Sequence, residues 1–97
     1  MNITPQIKEY LKKSVWDYAI DEDTLVAIFN GQKQTFSLTK EKLYSRLLLN
    51  MNWYTLLECF GVKGLKIILT NDVINLIWQK DLRDKFFYAK TALNELS

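Results

Sequence analysis

The groups that titrate, ligate metals or attack electrophiles are few in this chain, and they are poorly spaced for chemistry. Its densest acidic run is Asp21-Glu22-Asp23. Three carboxylates could hold a divalent cation, but Mg²⁺ usually takes one or two carboxylates together with substrate phosphate. No glycine-rich phosphate loop accompanies these three, so a solvated turn is expected. Asp81 and Asp84 read as caps at a helix start. As an acid–base pair they would need burial to separate their pKa values, and a surface helix start does not supply it.

The chain has no histidine. That removes the commonest general base and metal ligand, and with them Ser-His-Asp, Cys-His and most zinc or iron sites. Cys59 is the only cysteine and sits near Leu57 and Phe60. It reads as a buried apolar residue, not a reactive thiol. No catalytic residue, metal site or cofactor is assigned, and an enzyme is not expected.

Arg46 lies inside the most apolar part of the chain, where an arginine is seldom buried without a carboxylate. Glu58 and Asp72 are its expected mates, in a structural ion pair. The stronger functional lead is a set of aromatics off the helical core stripes: Trp16, Trp78, Phe87 and Tyr88. Trp16 falls about 180° from Ile7 on a helical wheel. Large apolar groups left over after a core is assigned are what interfaces use.

Composition sets the outer bounds. A hydrophobic fraction of 48% and a charged fraction of 25% describe a globular chain, and 97 residues suit one domain spanning 1–97. Thirteen basic and eleven acidic residues give a net charge of +2, far from the clustered charge of a nucleic-acid binder. Met1–Pro5 does not read as a signal peptide, and a lone cysteine suits a reducing compartment, so a cytoplasmic location is the default. The expected function is a protein-interaction module that self-associates as a homodimer or docks another protein. Nucleic-acid binding is the alternative, through Lys8, Lys12, Lys13 and Trp16 or through Lys80, Arg83, Lys85 and Lys90. No membrane partner is expected.

The elements that must position these residues follow from periodicity and caps. Thr4-Pro5 opens a helix to about Ala19 with the stripe Ile7, Tyr10, Leu11, Val15 and Tyr18. Thr24–Phe29, Asn30-Gly31 and Gln32–Ser37 read as a β-hairpin on a type I′ turn, pairing Phe29 with Gln32 and Leu25 with Phe36.

The segment Leu43–Phe60 is the central apolar element. Leu47, Leu48 and Leu49 alone spread over roughly 200° of a helix, and Arg46, Asn50 and Asn52 interrupt it too often for a bilayer span. Thr39 caps its first half, Asn50-Met51-Asn52 breaks it, and Gly61 ends its second half. The outline resembles a helix-turn-helix only loosely, because Trp53–Glu58 offers mainly core residues where a recognition helix would offer base-reading ones. Val62–Leu69 fits a short helix better than a strand. Thr70 then caps a helix to about Gln79, and Asp81 starts the last one, with the stripe Leu82, Phe86, Ala89, Leu93 and Leu96. The expected class is α+β, predominantly α: about five helices around a central apolar segment with one β-hairpin.

Overall fold

The computed structural model describes residues 3–35 and 37–96. Helix α1 spans Pro5–Ser14, with Thr4 extended at its N-cap and the Ile7 amide donating to Thr4 Oγ1 at 3.2 Å. It buries Ile7, Leu11 and Ser14. It ends well before Ala19, at a point where Arg46 engages its last carbonyl. In a continuing helix the Tyr18 amide would donate to the Ser14 carbonyl. Arg46 Nη1 takes that carbonyl instead, at 3.1 Å, and the Tyr18 amide turns to Val15 O at 2.8 Å. A guanidinium at this end of α1 also suits the negative pole of its dipole.

The hairpin is replaced by a helix, α2, Glu22–Phe29. Among the described residues there is no strand, so the α+β class gives way to an all-helical fold. The run Asp21-Glu22-Asp23 is not a free turn but the N-cap and first turn of α2, where carboxylates complement the dipole. Thr24, facing Asp21 from that turn, holds the Asp21 carboxyl below its ordinary value.

Leu25, Ile28 and Phe29 are buried at i, i+3 and i+4, the spacing of a helical face. Asn30-Gly31 is the C-terminal cap. Gly31 has φ 75°, its amide donates to Ile28 O at 3.0 Å, and the Gln32 amide donates to Ala27 O at 2.9 Å, the two bonds of a Schellman motif. Asn30 stays at φ −82°, whereas a type I′ turn needs positive φ at both central residues. The expected partner of Leu25, Phe36, lies outside the described residues.

Helix α3, Lys40–Asn50, starts at Thr39, whose hydroxyl accepts from the Lys42 amide at 3.2 Å. It packs on α1 and α2 and on the two helices that follow. Leu43 and Leu47 are fully buried in it. The break at Asn50–Asn52 is present. Met51 is extended, and Asn52 Oδ1 accepts from the Thr55 amide at 2.8 Å to open α4, Trp53–Ile68. Helix α4 kinks at Gly61, φ 68° and ψ 179°, a left-handed φ that glycine adopts without steric cost. Val62–Ile68 continues as helix, so the strand reading of that stretch is excluded.

Helix α5, Asn71–Asn75, begins at Thr70 as expected but stops short of Gln79. Helix α6, Lys80–Asn94, has Gln79 at its N-cap, and Asp81 lies in its first turn, not at the cap. Phe86 and Leu93 of its stripe are buried, Leu82 and Ala89 pack at the core edge, and Leu96 lies exposed beyond the helix end. Among the described residues, six helices enclose one core. The radius of gyration is 12.8 Å, close to the roughly 13 Å of a compact chain of about 100 residues.

Candidate functional site

The site grows from the point where α1 stops. Arg46, on α3, holds Asp17 through both carboxylate oxygens, Nη1 to Oδ1 at 2.7 Å and Nη2 to Oδ2 at 3.2 Å. Its guanidinium also lies 4.8 Å from the centre of the Tyr18 ring. The expected ion pair therefore exists with a different mate: Asp17 stands where Glu58 and Asp72 were expected. The hydrogen bond from Arg46 holds the Asp17 carboxyl below its ordinary value, and the same bond raises the Arg46 pKa further. The clamp fixes the turn after α1, with Val15 turned into the core and its neighbour Trp16 turned to solvent.

The loop between α5 and α6 repeats that arrangement. Ile77 is fully buried and anchors the loop, leaving Trp78 outside. Trp16 and Trp78 face one groove of about 460 Å³, floored by the last turns of α3 through Ser45, Arg46, Leu49 and Asn50. Leu49 also lines a second groove, of about 530 Å³, between the α3–α4 break and α6. That groove is almost wholly apolar, with Met51, Trp53, Phe86 and Tyr88 in its walls. All three tryptophans of the chain thus line the two grooves.

The exposures are large: Trp16 83%, Trp78 77%, Tyr88 77% and Leu49 40%. Phe87 is different. It is half-buried against the core and lines neither groove, whereas Trp16, Trp78 and Tyr88 each line one. Leu49 was missed, although its signal was present: a run of three leucines spread over roughly 200° of a helix cannot bury all three on one face. Tyr54 is likewise 82% exposed within the central apolar segment, away from both grooves.

Of the basic residues in the alternative reading, those on α1 are partly engaged within the chain. Lys12 lies 3.7 Å from both Glu9 and Glu22. Lys13 sits over the Tyr10 ring at 5.6 Å. On α6, Lys80, Arg83 and Lys85 alternate with Asp81 and Asp84.

Cys59 is half-buried, and burial together with the nearby Glu58 raises its thiol pKa. The thiolate that reactivity requires is therefore disfavoured. Among the described residues, no helix is long and apolar enough to cross a membrane. Comparison with known proteins finds no matching family model, no matching curated protein and no matching solved structure.

Proposed function

We propose that the chain is a non-catalytic interaction module that docks another protein, or a second copy of itself, through Trp16, Trp78 and Tyr88 together with Leu49. The observation that carries this reading is the meeting of two aromatic-lined grooves at one exposed leucine. Each aromatic side chain can bury about 150–250 Å², and monomeric proteins rarely expose contiguous apolar patches beyond a few hundred Å². Tryptophan and tyrosine are also the residues in which interface energy concentrates. A cytoplasmic site of action belongs to the proposal, supported by a lone cysteine with no intramolecular disulfide to make.

Sedimentation of the pure protein, and affinity capture from cells that express it, test the reading when the parent is compared with Trp16→Ala/Trp78→Ala. The expected result is a self-associated or heteromeric species that the parent forms and the variant loses, with unchanged helical circular dichroism. It should also persist as salt is raised, because apolar burial is not screened. A strictly monomeric parent that captures nothing beyond what the variant captures overturns the proposal. So does tight duplex binding that survives the variant and falls with salt at a log–log slope near −0.9 per phosphate contact.

A further inference from the structure

We propose that the occupant of the two grooves is an amphipathic helix of a partner protein, with an apolar ridge seated in the grooves and carboxylates along its flanks. The inference rests on the docking reading above and adds the chemistry of the partner.

Charge decides the occupant. Among the described residues, the charged side chains that line the grooves are Lys42 and Arg46 in the first and Lys85 in the second, and no carboxylate lines either. Arg46 is already held by Asp17. Lys42 gives its ammonium to the Ser37 carbonyl at 3.2 Å. Among the described residues, no carboxylate lies within ion-pair distance of Lys42 or Lys85. Two ammonium groups outside any ion pair, of which Lys42 already bears on Asp17 from beyond contact distance, favour a partner that brings acidic side chains over a basic one.

The same charges disfavour a second copy. A two-fold contact sets one patch against itself, so Lys42 and Lys85 would face the same cations of the second copy, and Asp17, the carboxylate beside the first groove, is already held by Arg46. An offset contact with the acidic start of α2 would be head-to-tail, the arrangement that forms open polymers unless it closes into a ring. Glu22 is in any case already engaged with Lys12.

Shape and size fit a helix. The first groove lies along the last turns of α3, between the turn after α1 and the α5–α6 loop, the second lies beside α6, and they share Leu49; no strand among the described residues offers an edge for an extended peptide. Trp16, Trp78, Tyr88, Leu49 and Leu76 together present on the order of 600–700 Å², against about 800 Å² per partner in a stable interface.

The test is a fluorescence titration of the full chain with two synthetic helical peptides. One is built of Leu, Ala and Glu, and the other carries Lys in place of every Glu. All three tryptophans line the grooves, so their emission reads occupancy directly. The acidic peptide is expected to bind at least about tenfold more tightly than the basic one. Lys42→Glu/Lys85→Glu should reverse that preference, and Trp16→Ala/Trp78→Ala should abolish binding of both.

Equal or tighter binding of the basic peptide overturns the inference, as does a preference that survives charge reversal or binding of neither peptide. If the chain instead self-associates through Trp16 and Trp78, the inference fails while the docking reading stands. The sedimentation and capture comparison judges that reading separately.

Discussion

Tyr44→Phe is the sharpest probe of how α2 meets α3. The Tyr44 hydroxyl donates to the Phe29 carbonyl at 2.7 Å in a buried setting. Phe29 is the last residue of α2, so its carbonyl has no partner within the helix. The two rings also meet edge-on, with centroids 5.2 Å apart, and that contact survives the substitution. The variant therefore isolates a single hydrogen bond. Leaving a buried carbonyl unsatisfied costs about 1–2 kcal/mol, which for a domain of this size lowers Tm by roughly 5–10 °C.

Alkaline pH supplies a second readout. Burial, reinforced by Glu41, raises the Tyr44 pKa above its ordinary 10.0. The folded state then holds a proton that the unfolded chain releases. The resulting stability is fully present below pH 10.0 and is lost as pH rises through the folded pKa. Chemical denaturation across that range should show a fall for the parent that is smaller in Tyr44→Phe. If Tyr44→Phe melts like the parent, the hydroxyl does not satisfy Phe29 and the placement of α2 against α3 is wrong.

Other consequences follow from the same packing. Leu47→Ala should cost about 2–5 kcal/mol as a core truncation, while Leu49→Ala should stay within about 0.5 kcal/mol as a surface one; denaturant midpoints of the two compare neighbours in one leucine run. Gly31→Ala puts a side chain at positive φ and should cost about 1 kcal/mol in a thermal melt, and an unchanged melt would deny the left-handed cap. Asp17 titrates below its ordinary 3.8 because Arg46 holds the carboxylate, so its contribution is present above pH 3.8 and is lost as pH falls through the folded pKa. Acid titration of Asp17→Asn should therefore lack part of the parent's loss of stability below that pH.

What was legible in the sequence was local. Thr4, Thr39, Asn52 and Thr70 each accept a backbone amide three residues on, and a cap of that kind is written in one short stretch. The break after Asn50 and the turn of α4 at Gly61 were legible for the same reason. Asn30-Gly31 was ambiguous because a type I′ turn and a Schellman cap both want glycine at positive φ. The spacing of Leu25, Ile28 and Phe29 separates them, but a short apolar run matches both helix and strand. The mate of Arg46 was hidden because Asp17 lies 29 residues away, in a turn after α1 where Arg46 also takes the Ser14 carbonyl. Phe87 and Tyr88 looked alike on a helical wheel, and only the packing of α6 on α4 and α5 decides which of them is covered.

The central claim is that the face around Leu49 is where a partner sits. A photo-crosslinking amino acid at position 49, which lines both grooves, reports this most directly against the same residue at the exposed Lys63, which lines neither. Irradiation in cells should join position 49 to one dominant protein, with little adduct from position 63 and loss of the adduct in Trp16→Ala/Trp78→Ala. Adducts equal at the two positions, or a position-49 adduct indifferent to the two tryptophans, would contradict the account.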